Sequence, residues 1–232
     1  MPDRLVLLAG MNCSARMWTQ VAQRLGTRLD GLDIAYGRLD GLSVDACVAE
    51  LLSRLPERFA LAGLSLGGIV AMALVRQAPE RVTRLCLMST NPYGPTPRQR
   101  SMWAAQRQAL AAGRTARDMQ RDLLPVLLHP PNRTVELDEQ VLTMADDTGD
   151  RLLDRQLRAQ ATRIDERPWL PGVRVPTLIV ASAEDALCPV SLHEEMHTLI
   201  RSSRLVVLDH VGHLSPLEDP GRVAQAVTDW LA

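Results

Sequence analysis

Gly63-Leu64-Ser65-Leu66-Gly67, with Gly68 directly after it, sets one serine between glycines in the arrangement G-x-S-x-G. An apolar run, Phe59-Ala60-Leu61-Ala62, precedes it, and a helix-compatible stretch, Ile69 to Gln77, follows. A serine in that strand–turn–helix context stands on a sharp backbone turn at the end of a strand, with its hydroxyl exposed for attack. Gly63 and Gly67 leave room for strand and helix to pack closely. The pattern predicts Ser65 as the nucleophile of an acyl-transfer reaction.

A serine hydroxyl is a weak nucleophile until a base takes its proton. Of the five histidines, His213 in His210-Val211-Gly212-His213-Leu214 lies just past the last strand-like run, where a loop can reach Ser65. His210 follows the strand too tightly to swing over the site. The base needs a carboxylate to fix its tautomer and stabilise the imidazolium. Glu184 and Asp185, after the fifth strand-like run, both qualify chemically, and Asp209 is a weaker alternative. A developing oxyanion needs donors already aimed at it. The backbone N–H of Leu66 is one, and the loop Gly10-Met11-Asn12-Cys13 should supply the other, with Met11 favoured.

A second motif competes for attention. His193-Glu194-Glu195-Met196-His197 matches H-E-x-x-H, in which two histidines share a helix face and bind zinc. No third ligand follows at a useful spacing, so the reading here is an ordinary helix face covering the sheet. The expected chemistry uses no metal and no cofactor.

The elements that must position these residues are legible as alternating runs. Leu5–Ala9, Ile34–Tyr36, Phe59–Ala62, Leu85–Met88, Leu178–Ala181 and Leu205–Leu208 are short and continuously apolar, as suits strands of a parallel sheet buried on both faces. Between them, Trp18, Val21, Ala22 and Leu25, and then Val44, Val48, Leu51, Leu52 and Leu55, fall at helical spacing. Pro56 and Pro79 lie where the second and third helices should stop. Alternation of this kind predicts an α/β fold built on a mostly parallel sheet.

The alternation breaks between Asn91 and Pro171, where strand-like runs vanish and apolar residues keep helical spacing. A helical cap over residues 94–170 is expected, inserted in an α/β core made of residues 1–93 and 171–232. Because it leaves the sheet after the strand following the serine turn, it should emerge at the catalytic edge. Met102, Trp103 and Met119 are candidates to line a substrate pocket. Arg98, Arg100, Arg107, Arg114, Arg117 and Arg121 are expected on a solvated face, leaving a mainly apolar pocket for an uncharged acyl or alkyl group.

Composition narrows the function classes. The 46% hydrophobic content fits a globular chain with a sizeable core. A formal net charge of -1 argues against a nucleic-acid partner. All basic side chains are arginine, which excludes catalysis through a lysine amine. Cys13, Cys47, Cys86 and Cys188 are scattered, as expected for free thiols in a reducing compartment. No apolar run is long enough for a signal peptide core or a membrane span, so a soluble, cytoplasmic protein without membrane partners is expected. A small-molecule substrate is the expected partner, and a homodimer is left open.

These features together resemble the α/β-hydrolase superfamily, and within it the small cap-bearing esterases and enol-lactonases. The resemblance covers nearly the whole chain: Leu5 through Gly10 to Trp18, the serine turn Gly63–Gly68, Ser182-Ala183-Glu184-Asp185, and Gly212-His213-Leu214-Ser215-Pro216-Leu217-Glu218. It implies the α/β-hydrolase fold and selects Asp185 as the orienting acid. It also implies an acyl-enzyme route to hydrolysis of a small carboxylic ester or lactone. Thioesterases, C–C bond hydrolases and lyases of the superfamily match the same three residues equally well. Two departures stand out. Members usually carry His where this chain has Ala9, which also motivates a low-turnover ligand-binding protein as an alternative. Members also begin with two further strands, so the sheet here should have about six.

Overall fold

The computed structural model describes residues 4–232. Six strands form one sheet: β1 (Leu5–Leu8), β2 (Ile34–Gly37), β3 (Phe59–Leu64), β4 (Val82–Met88), β5 (Thr177–Ser182) and β6 (Ser203–Leu208). Every neighbouring pair is parallel, in the order β2-β1-β3-β4-β5-β6. The helices are α1 (Thr19–Arg28), α2 (Val44–Arg54), α3 (Leu66–Gln77), α4 (Pro97–Ala111), α5 (Ala116–Leu127), α6 (Val135–Thr162), α7 (Val190–Leu199), α8 (Ser215–Glu218) and α9 (Pro220–Leu231).

Each central strand sends alternate side chains into two separate cores. Leu5 and Leu7, Ala60, Ala62 and Leu64, and Leu178 and Val180 meet α1 and α9 through Val21, Leu25, Val223 and Val227. Val6, Leu8, Phe59, Leu61 and Ile179 face the other way, onto Val48 and Leu51 of α2, Val70 and Leu74 of α3, and Met196 of α7. Two-sided burial is why the strands read as unbroken apolar runs rather than as alternating ones. Each such Leu, Val or Ile contributes about 1.5–3 kcal/mol on leaving water.

The chain runs from β1 out to β2 and then back across to β3, so the strand order reverses between β1 and β3. Open α/β sheets form their ligand crevice at the carboxyl ends of the strands flanking such a reversal. The loops after β1 and β3 are the ones that carry Met11 and Ser65.

Helices α4, α5 and α6 fill the interval between β4 and β5, as the loss of strand-like runs predicts. Thr96 with Gln99, and Thr115 with Asp118, form capping boxes that start α4 and α5. Gly149, at φ 70° and ψ 163°, breaks α6 into two helical halves. Trp103, Met119, Ala145, Leu153 and Leu157 give these three helices a small core of their own. Among the described residues, no helix is long and apolar enough to cross a membrane.

Candidate active site

Ser65 sits between the last residue of β3 and the first of α3, at φ 54° and ψ -114°. A non-glycine residue held there carries roughly 1–3 kcal/mol of backbone strain, which the surroundings must hold in place. The local chain does so by contact. A Cβ on Gly63 would lie 2.3 Å from the carbonyl oxygen of Gly67, and one on Gly67 would lie 2.4 Å from that of Leu8. Only glycine at both positions lets the turn close against β1. The Ser65 N–H donates to Met88 O at 3.0 Å, and the Ser65 carbonyl accepts from Ile69 N at 3.0 Å and from Thr90 Oγ1 at 2.8 Å.

Thr90 is in turn held by a residue of the H-E-x-x-H segment. Its N–H donates to His193 Nε2 at 3.1 Å, while His193 Nδ1 lies 3.3 Å from Pro189 O. A carbonyl can only accept, so Nδ1 carries the proton and Nε2 is the acceptor. Burial pushes the His193 pKa down, in keeping with this neutral form. His197 is elsewhere, exposed and hydrogen-bonded to Ser203 Oγ at 2.8 Å. Thus His193 is a buried support beneath the serine turn, a role its motif does not advertise. Replacing His193 by alanine should strand the Thr90 N–H and open a void, costing roughly 2–4 kcal/mol. The His197→Ala change should stay within about 0.5 kcal/mol. Urea unfolding of both variants checks the contrast, and equal losses would contradict it.

His213 and Asp185 meet as a buried pair. His213 Nδ1 lies 2.8 Å from Asp185 Oδ2 and 3.0 Å from Oδ1. Oδ1 also accepts from the backbone amides of Leu187, at 2.8 Å, and Cys188, at 2.9 Å. Burial alone would raise the Asp185 pKa. His213 and the two amides outweigh it and hold the carboxyl below its ordinary value. The rival acids are occupied otherwise. Glu184 Oε2 accepts from Val211 N at 2.9 Å, and Asp209 is exposed to solvent. Glu218 holds the same loop from the other side, accepting from Gly212 N at 3.0 Å and from His129 N at 3.0 Å. The backbone carrying His213 is therefore clamped by two carboxylates, neither of which faces the imidazole.

Ser65 and His213 open on one cavity of about 210 Å³. No hydrogen bond joins them among the described residues; such contacts often tighten only with substrate present. Gly10, Met11 and Leu187 complete the sheet side, while Met102, Trp103, Leu123, Leu127 and Arg163 come from the helical segment above. Leu66 is fully buried, and its N–H opens α3. The loop after β1 is braced against the helical segment. Asn12, at φ 57°, donates its N–H to Gln156 Oε1 at 2.9 Å and its Nδ2 to Ala116 O and Gln120 Oε1, both at 2.9 Å.

One expectation needs correcting. Met119 does not reach the cavity; α5 turns Gln120, Leu123 and Leu127 toward it and sends Met119 into the core shared with Trp103 and Leu153. The wall is mainly apolar, as expected, though Asn91, Gln99, Gln106, Gln120, Gln160 and Arg163 also contribute to it. The six arginines expected in solvent do lie outside it: Arg98, Arg100, Arg114 and Arg121 are exposed, and Arg107 and Arg117 are half-buried and paired with acids. The charged contribution comes from Arg163, at the C-terminal end of α6, which the sequence does not single out.

Comparison with known proteins decides the family. A family model described as "Alpha/beta hydrolase family" matches residues 5–226. The chain belongs to the alpha/beta hydrolase family. This hydrolase is 28% identical over 254 aligned residues to a pimeloyl-[acyl-carrier protein] methyl ester esterase of Aromatoleum aromaticum, covering 98% of this chain and 97% of that one. A protein of the same description from Nitrosomonas europaea is also 28% identical, with 94% and 91% covered. Among solved structures, a thermophilic esterase from Thermogutta terrifontis superposes with a TM-score of 0.88 at 24% identity, covering 99% of this hydrolase and 89% of that chain. The enol-lactonase from Burkholderia xenovorans LB400 gives 0.86 at 19%, with 99% and 91% covered. At these identities the two structures speak for the fold.

Proposed function

We propose that this hydrolase cleaves a small carboxylic ester or lactone through an acyl-enzyme on Ser65. The observation that carries the reading is the meeting of a serine on a strained turn with a buried Asp185–His213 pair at one capped cavity. Because the Asp185 carboxylate accepts, His213 Nδ1 must hold the proton, which leaves Nε2 free as the base. Ser65 Oγ attacks the carbonyl carbon while Nε2 takes its proton. The oxyanion is received by the backbone N–H groups of Leu66 and Met11, the first aided by the positive end of α3. Collapse expels the alcohol, protonated by His213, and water repeats the cycle to release the acid. Met102 and Trp103 flank the acyl or alkyl group. The relatives' names, methyl ester esterases, support ester cleavage.

The test is turnover across a panel of short esters, lactones and acyl thioesters, with mass analysis of protein quenched during turnover. Esters or lactones should react fastest, and the acyl group should be found on the peptide holding Ser65. Activity confined to thioesters, or an acyl group on another residue, would overturn the reading.

A further inference from the structure

We propose that the substrate carries a carboxylate and that Arg163 receives it; this rests on the ester-hydrolase reading and names its substrate class. Arg163 is only 5% exposed and lines the same cavity as Ser65 and His213. Its Nη1 donates to Gln160 Oε1 at 3.1 Å and its Nη2 to Gln99 Oε1 at 3.1 Å, while its Nε is buried with no partner. The guanidinium carbon stands 5.2 Å from the centre of the Trp103 ring. Neutral amides and an aromatic face orient the group, yet none cancels its charge.

No other arginine of the helical segment is buried, and most of them have acid partners. Arg107, Arg114, Arg117, Arg121, Arg133 and Arg158 each pair with an aspartate or glutamate. The two acids next along the chain are taken, Asp165 by Arg167 and Glu166 by Arg76. Cys188, in the same wall, is a neutral thiol, pushed up to about 12 chiefly by burial. A buried charge without a counter-charge is expensive, and a fold that needed only a link between Gln99 and Gln160 could use a neutral side chain. The arrangement makes sense when a ligand supplies the anion. Arg is suited to it, since its planar fork matches a carboxylate, and here the fork is fixed in advance.

A second donor points the same way. Gln120 is 1% exposed, lines the cavity, and its Nε2 has no oxygen or nitrogen partner. The same wall also offers Met102, Leu123, Leu127 and Leu187, which suit a short methylene chain. The class is therefore a carboxylic ester with a free carboxylate at the far end of a short alkyl spacer. The carboxylate can belong to the acyl part, as in the half-ester of a dicarboxylic acid, or to the alcohol part.

The experiment compares kcat/KM for three esters of matched length: a monomethyl dicarboxylate, a neutral acyl ester of a hydroxy acid, and the neutral methyl alkanoate. One anionic arm should exceed the neutral ester by about 10- to 100-fold, the range expected for hydrogen bonds to a charged group. Which arm wins tells which side of the scissile bond faces Arg163. Arg163→Gln should bring the anionic and neutral esters to within about threefold of each other, and Arg163→Lys should restore part of the preference. No preference in either arm of the wild type would overturn the proposal, whether or not the variants fold. So would equal losses on all three esters in a folded Arg163→Gln protein. Calorimetric titration with glutarate separates this failure from failure of the ester reading. Binding that requires Arg163, with no ester turned over, keeps the anion site and removes the hydrolase reading. Turnover of neutral esters without anion preference does the reverse.

Discussion

Replacing Ser65 by alanine should lower kcat/KM by roughly four to six orders of magnitude while leaving the fold intact. The size follows from the proposed covalent route, in which no acyl-enzyme can form without the hydroxyl. Only binding and the oxyanion donors remain to help water attack. The integrity of the fold follows from what the side chain touches. Ser65 is held by its backbone N–H and carbonyl, through Met88, Ile69 and Thr90, and alanine keeps both. Stability should therefore change by no more than about 0.5 kcal/mol. Steady-state kinetics beside a urea unfolding curve give both quantities. Undiminished turnover in a folded variant would remove Ser65 from the mechanism.

Replacing Asp185 by asparagine is the second large effect, and the geometry says why a nearly isosteric change should matter. Oδ1 accepts from the amides of Leu187 and Cys188, so the asparagine carbonyl must take that place. Its NH2 then occupies the position of Oδ2, 2.8 Å from His213 Nδ1. Two donors cannot face each other, so His213 shifts its proton to Nε2, the atom that must be free to accept from Ser65. A loss in kcat of roughly three to four orders of magnitude is expected at neutral pH, with KM little changed. A loss below about tenfold would mean that Asp185 does not set the tautomer. The same carboxylate should leave a mark on stability. Its folded pKa is depressed, so its contribution is present at neutral pH and is lost as pH falls through that depressed value. The stability gap between wild type and Asp185→Asn should therefore close in acid.

How much of this could be read in advance differs from part to part. The central strands are visible because two-sided burial leaves apolar runs such as Leu5–Leu8 and Leu178–Ala181 unbroken. The serine turn is visible because only glycine fits beside it, which forces a local pattern into the chain. Asp185 and Glu184, by contrast, are adjacent and chemically alike. Spacing does not separate them; the resemblance selects Asp185, and the geometry turns it to His213 and Glu184 to Val211 N. His193 was legible as part of a pair but not as a support, because its partner Thr90 lies 103 positions away. Arg163 had no signal at all. The chain is rich in arginine, and nothing local tells a buried, acid-free guanidinium from those that pair at the surface. Met119 was misread for a similar reason: spacing says that a helix residue is inward, not which of two interiors it enters.

The bracing of Asn12 bears on how separable the parts of this molecule are. In a modular enzyme the roof could be exchanged for another to change what is bound, with the chemistry left to the floor. Here the backbone amide next to Met11 is fastened to Gln156, and the Asn12 side chain to Gln120 and the Ala116 carbonyl, all of them on the roof. A transplanted roof lacking Gln120 and Gln156 would cut the fastenings of the loop that carries the proposed Met11 donor, and so disturb turnover as well as choice of substrate.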